Sequence, residues 1–188
     1  PGQTGCAGKF HNAKDVTAAF GWLKNGHTSS GCDEMPGIQQ DGTKAYECGA
    51  VPSLHQVYID IARRIAPGGR IVVAGYPQLF GNPPYGDPSA TACTVGLAFG
   101  SVAYNISSDD IDWLDSGALR LNNTISNEVR TAQTTIHTIR PDVTIVFAGV
   151  DTSFAGHRIC DTGASWINGL NISGTHPLQT SFHPNQAG

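Results

Sequence analysis

A chain of 188 residues is long enough for one domain with a real core. Charge is sparse: 14% of residues are Asp, Glu, Lys or Arg, and the formal net charge of −4 leaves no basic footprint for nucleic acid. No apolar run approaches the length of a bilayer span, and 23 Gly with 11 Pro point to a loop-rich extracellular protein rather than a cytosolic one.

No signal peptide is visible ahead of Pro1, so any leader is expected to have been removed or left outside this sequence. Residues 1–10 are turn-rich. Val16, Ala19, Phe20 and Leu23 recur at helical spacing, which predicts a helix over 13–23 stopped by Gly26, with Lys24 suited to its negative C-terminal end. Residues 25–50 read as loop, bracketed by Cys32 and Cys48. Leu54, Val57, Tyr58, Ile61 and Ile65 form one continuous stripe of a second helix; Pro52 suits its first turn and Pro67-Gly68-Gly69 ends it. Ile71-Val72-Val73-Ala74 is apolar without alternation, which predicts a strand buried on both faces of a parallel sheet. Gly75-Tyr76-Pro77 then lies at that strand's C-terminal end, where open α/β sheets build their sites.

Residues 80–107 read as a long Gly/Pro-rich loop containing Cys93. Ser108-Asp109-Asp110 is a helix start, and Leu114, Ala118, Leu121, Ile125 and Val129 line one face of the helix it opens. Asp109, Asp110, Asp112 and Asp115 read as solvated capping carboxylates rather than calcium ligands, since no twelve-residue EF-hand loop is present. Pro141 blocks the helix, residues 143–150 predict a second buried strand, and 151–188 should be mostly loop with short turns. This order implies an α/β fold with three layers, αβα, around a parallel sheet, in a single domain over 1–188. Two strands are too few to complete such a sheet, so the domain is expected to be partial, with further strands upstream of Pro1.

The five cysteines are Cys6, Cys32, Cys48, Cys93 and Cys160. None forms a C-x-x-C pair, so zinc and thioredoxin-like chemistry fit poorly and an oxidising compartment fits better. Cys93 and Cys160 follow the two predicted parallel strands at one end of the sheet, which predicts a Cys93–Cys160 disulfide. Cys32 and Cys48 bracket an otherwise unsupported loop, which predicts the second, and Cys6 is left over. Asn105, Asn122 and Asn171 head N-x-[ST] sequons and are candidate glycosylation sites.

Three stretches carry the functional reading. They are Val72–Phe80 (VVAGYPQLF), Phe154–Cys160 (FAGHRIC) with Trp166–Leu170 (WINGL), and Ser181–Gly188 (SFHPNQAG). In this order they resemble the secreted SGNH hydrolases, also called GDSL esterases and lipases, over roughly residues 50–188. A histidine in a Pro/Asn/Gly loop is by default a solvated surface residue. The resemblance instead implies that His183 is the general base for a serine nucleophile, a role imidazole can fill near neutral pH. Three residues earlier the family has Asp; this chain has Thr180, and the resemblance then implies that its backbone carbonyl orients the imidazole, as in some members. His157 is a recurrent family feature at the active-site rim, or else a structural histidine beside a disulfide. Tyr76 and Trp166 read as packing residues.

The family's nucleophile block, G-D-S, has no counterpart. Gly86-Asp87-Pro88-Ser89 is interrupted by proline and follows the wrong strand, Asn12-Ala13-Lys14-Asp15 does not match the oxyanion block G-x-N-D, and no G-x-S-x-G elbow occurs. The resemblance therefore implies the C-terminal part of a secreted ester hydrolase, an esterase or lipase acting on carboxylic esters without metal or organic cofactor. Its nucleophile would come from an upstream segment, and an N-terminal chain of the same enzyme linked through Cys6 is the partner this implies. Two alternatives stay open: a non-catalytic secreted glycoprotein of the same descent serving in binding or structure, favoured by the missing Ser and by Thr180, and a carbohydrate esterase on the same fold.

Overall fold

The structure is a computed structural model, and it describes residues 13–28, 32–34, 46–48, 50–81, 92–96, 103–169, 172–173, 176–177 and 180–188. Cys6, Asn171, Gly86–Ser89 and Asn12 lie outside the described residues. The chain forms two compact units: Pro1–Ala74 with Asn123–Ala148, and Gly75–Asn122 with Gly149–Gly188.

The first unit opens with helix α1 (Ala13–Asn25). Gly26 closes it at φ 71°, with its N–H bonded to the Trp22 carbonyl at 2.8 Å, and a Cβ there would press on the Val51 carbonyl. Strands β1 (Cys32–Glu34) and β2 (Tyr46–Cys48) then pair antiparallel, where the sequence reads as loop. Their register sets Cys32 opposite Cys48. Helix α2 (Leu54–Arg64) is capped by Ser53, whose hydroxyl accepts from Gln56 N–H at 3.2 Å, so Pro52 precedes the cap rather than occupying the first turn. Its buried residues are Tyr58, Ile59 and Ala62. The stripe is thus turned from the expected one, and Ile61 sits at the rim, 43% exposed.

Strand β3 (Arg70–Ala74) pairs in parallel with a later strand, Thr144–Ala148, in register Ile71 to Ile145 and Val73 to Phe147. The parallel pairing follows the expectation, but burial on both faces does not. Ile71 is buried while Val72 is 60% exposed, because among the described residues this sheet has two strands and only one covered face. In the same unit Val129, Ala132, Ile136, Val143 and Ile145 are all buried. Arg140 ties the unit together: Nη1 donates to the Ala62 carbonyl at the end of α2, and the guanidinium grips Asp142, whose Oδ2 also accepts from Gly68 N–H. That bonding holds the Asp142 carboxyl well below the usual range.

In the second unit the expected loop over 80–107 contains a hairpin. Strands β4 (Ala92–Gly96) and β5 (Ala103–Ser107) pair antiparallel with Cys93 opposite Ile106. Helix α3 (Ser108–Ile139), which continues into the first unit, is capped by Ser107, whose hydroxyl accepts from Asp110 N–H. Strand β6 (Thr144–Ala148) is the parallel partner of β3, and the short pair β7 (Ile172–Ser173) and β8 (His176–Pro177) follows. The core here is Phe80, Cys93, Val95, Ile111, Ile159 and Ile167, with Leu79, Ile106, Phe154, Cys160 and Phe182 packed on it. A disulfide joins Cys93 to Cys160 across 5.8 Å between Cα atoms, closing a separation of 67 residues.

Candidate functional site

All the described residues of the C-terminal motifs lie in the second unit. Residues 165–169 and 182–185 run side by side: Asn168 N–H donates to the His183 carbonyl at 2.9 Å, Asn185 N–H to the Trp166 carbonyl at 2.8 Å, and Ile167 bridges Pro184. Ile167 is 2% exposed and anchors this pair in the core. The chain reaches His183 through a turn in which the His183 N–H meets the Thr180 carbonyl at 3.4 Å. Phe182 occupies the turn at φ 59°, a left-handed conformation that a bulky residue adopts only where its surroundings enforce it. The enforcement is visible: the Phe182 ring packs on the core, 6.0 Å from Phe80 between centroids, and its N–H is bonded to the Asn168 carbonyl. His183 itself is exposed, presented by a turn whose neighbouring residue is anchored.

Thr180 and His183 are thus brought together on one turn. Among the described residues the His183 ring makes no hydrogen bond; the Thr180 carbonyl instead accepts from Asn168 Nδ2 at 3.1 Å as well as from the His183 backbone. A carbonyl has two lone pairs, and these two donors meet both of them, the His183 N–H at the longer distance. Asn168 carries no signal in the sequence beyond its place in WINGL.

His157 is built into a wall. Its ring stacks on Trp166 at 3.9 Å and 1°, and Nδ1 lies 2.9 Å from the Ala164 carbonyl, which can only accept, so Nδ1 carries the hydrogen. Phe154 meets the same indole edge-on. Trp166 therefore packs, and one face and one nitrogen of His157 are committed to structure. Next along the chain, Arg158 donates from Nε and Nη2 to the two carboxylate oxygens of Asp161 and from Nη1 to Gln78 Oε1. This ion pair is largely buried, at 11% and 12% side-chain exposure. The Asp161 carboxylate occupies the space a Cβ on Gly81 would need, which explains a glycine there.

Two acidic and amide positions on α3 differ from their sequence readings. Asp115, expected as a solvated capping carboxylate, is 6% exposed. The buried face of α3 runs Ile111, Asp115, Asn122, Ile125, Val129, and Leu114 is turned out at 37% exposure. Burial pushes the Asp115 carboxyl up to about 6, against the pull of Arg158 and a Phe80 N–H, with Asp112 and Asp161 adding repulsion. Asn122, a candidate glycosylation site, is also 6% exposed. Its Oδ1 accepts from Tyr76 N–H and its Nδ2 donates to the Tyr76 carbonyl, both at 2.7 Å. In the folded chain that nitrogen is closed to a glycan, whereas Asn105 is exposed. The clamp holds the backbone of Tyr76, whose side chain is 57% exposed rather than packed.

Among the described residues no three His, Cys, Asp or Glu side chains converge as metal ligands would, and no helix is long and apolar enough to cross a membrane. No family model matches the chain. The chain is similar to a lipase of Streptomyces rimosus, 31% identical over 147 residues, which is 77% of this chain and 42% of that protein. Among solved structures, an extracellular lipase from Streptomyces rimosus matches with a TM-score of 0.45 and 26% identity, covering 70% of this chain and 42% of that chain. The chain thus spans well under half the length of the relative it matches.

Proposed function

We propose, because the chain belongs to the SGNH-type lipase and esterase family, that it is the C-terminal part of a secreted serine ester hydrolase and that His183 is its general base. The likeness to the Streptomyces rimosus lipase carries this reading. The substrate class is carboxylic esters. A serine from an upstream segment would attack the ester carbonyl while His183 Nε2 takes its proton. The same proton then goes to the departing alcohol, and water, deprotonated by the imidazole, hydrolyses the acyl-enzyme. The Thr180 carbonyl is the neutral acceptor for Nδ1–H in this scheme. It selects the tautomer whose Nε2 is free but stabilises imidazolium less than a carboxylate would. Cys6 is the residue through which a separate nucleophile-bearing chain would be held.

The exposed His183 turn supports the reading over a non-catalytic module. The test is hydrolysis of a short-chain aryl ester by the 188-residue chain alone and by the complete gene product. The complete product should turn over and the chain alone should be slower by several orders of magnitude, the usual cost of a missing serine. Equal rates would place the nucleophile inside this chain, and no turnover by either would favour the binding module.

A further inference from the structure

The ring of His157 has one nitrogen in use and one to spare. Nδ1 holds the hydrogen that the Ala164 carbonyl accepts at 2.9 Å, so in the neutral ring Nε2 keeps the lone pair. Among the described residues Nε2 has no hydrogen-bond partner. Two contacts fix the ring: the Ala164 bond, and the stack on the Trp166 indole at 3.9 Å and 1°. The register then places this stack beside His183. Ile167 is buried, so the alternation of an extended segment turns its neighbours Trp166 and Asn168 outward. Asn168 lies opposite His183 and Trp166 opposite Asn185, through the main-chain bonds that flank the Ile167–Pro184 bridge. Pro184 favours extended backbone at His183, and the histidine is exposed. Trp166 is thus the diagonal neighbour of His183 on one face, a separation of about 7–8 Å that aromatic side chains can span. All of these residues belong to one compact unit.

The inference rests on the reading of His183 as the base. A base that takes the proton of a serine returns it to the departing alcohol, so the alcohol half of the ester lies against His183. That half then meets the wall made by Trp166 and His157. On this wall the imidazole offers an acceptor, and an acceptor is satisfied only by a donor. The donor that the alcohol half of an ester can carry is a further hydroxyl. We infer that His157 Nε2 is the acceptor of a subsite for the leaving alcohol, and that the complete enzyme favours partial esters of polyols, such as a glycerol monoester, over esters of simple alkanols. An alkyl chain in that place would displace water from the lone pair and give no hydrogen bond in return.

The experiment measures kcat/KM for glycerol monobutyrate and for propyl butyrate, which share the acyl chain and the carbon skeleton of the alcohol, in the complete gene product. The wild type should favour the glycerol ester by roughly 2- to 10-fold, the factor that one net hydrogen bond provides. His157→Phe keeps a ring to stack on Trp166, and His157→Asn keeps a donor for the Ala164 carbonyl; neither has an acceptor where Nε2 stood. Both should lower the ratio by that same factor. The ratio is read within one protein, so a loosened fold that slows both esters alike leaves it unmoved. A wild-type ratio of one, or a wild-type preference that either variant retains, overturns the subsite, and His183→Ala abolishing turnover of both esters would leave the base assignment standing. Turnover that survives His183→Ala, or no turnover of either ester by the wild type, refutes the base assignment and the subsite with it.

Discussion

Replacing Asp115 by asparagine should change how stability depends on pH, and the sign follows from burial. The residue is 6% exposed, and among the described residues its Oδ2 finds no hydrogen-bond partner. Desolvation is the largest cause of its raised pKa, about 6 against an ordinary 3.8, and Arg158 and the Phe80 N–H offset only part of it. A carboxyl raised on folding keeps its proton in the native state at pH values where the unfolded chain has already lost it. Between about pH 4 and pH 6 the native state therefore binds more protons, and stability falls as pH rises. A shift of about two units corresponds to about 3 kcal/mol lost across that window, with no further change above it. The substituted amide would not titrate, and its carbonyl could still accept from Phe80 N–H. Urea unfolding at half-unit steps from pH 4 to pH 8 should show the variant gaining on the wild type by about 3 kcal/mol up to pH 6 and holding that lead above it. Asp142 acts in the opposite direction, since its depressed pKa adds stability that is lost on acidification, but it is common to both proteins and cancels in the difference. A difference that stays flat with pH would refute the claim that Asp115 is buried and reluctant to ionise.

Three other outcomes can be measured beside it. Gly81→Ala drives a methyl group into the Asp161 carboxylate and its backbone N–H, and should cost about 2 kcal/mol in urea unfolding; a neutral result would mean the Arg158–Asp161 pair gives way freely. Asn122→Ala orphans the Tyr76 N–H and carbonyl together and should cost about 2–3 kcal/mol, and glycopeptide mapping of the wild type should find Asn122 bare. Non-reducing peptide mapping should join Cys93 to Cys160 and Cys32 to Cys48; a Cys48–Cys93 peptide would contradict both pairings.

Periodicity located the three helices and the two parallel strands found among the described residues, because each is driven by an apolar pattern that the chain carries locally. It missed the antiparallel pairing of Cys32–Glu34 with Tyr46–Cys48 and of Ala92–Gly96 with Ala103–Ser107. Their strands are short, three and five residues, and lie among Gly, Pro and Ser that read as loop. The face of α3 was misjudged for a related reason. A stripe drawn through apolar residues alone passes over Asp115 and Asn122, yet both fall on the buried line through Ile111, Ile125 and Val129. Polar residues on a core face are legible only once their partners are known, here the Phe80 N–H and the Tyr76 backbone. At the candidate site, His183 and Thr180 were visible through a family motif. Asn168 was not, since its hydrogen bond crosses twelve residues and depends on a turn whose left-handed Phe182 no propensity would suggest.

The proposal that His183 takes the proton of a serine nucleophile is tested most directly by kcat/KM for a short-chain aryl ester in the complete gene product carrying His183→Ala. Loss of the base from a serine hydrolase costs roughly 10⁴- to 10⁶-fold, and a fall of that size is predicted, with Thr180→Ala, which keeps the carbonyl, within about tenfold of wild type. Turnover by His183→Ala within tenfold of wild type, or a Thr180→Ala variant as damaged as His183→Ala, would contradict it.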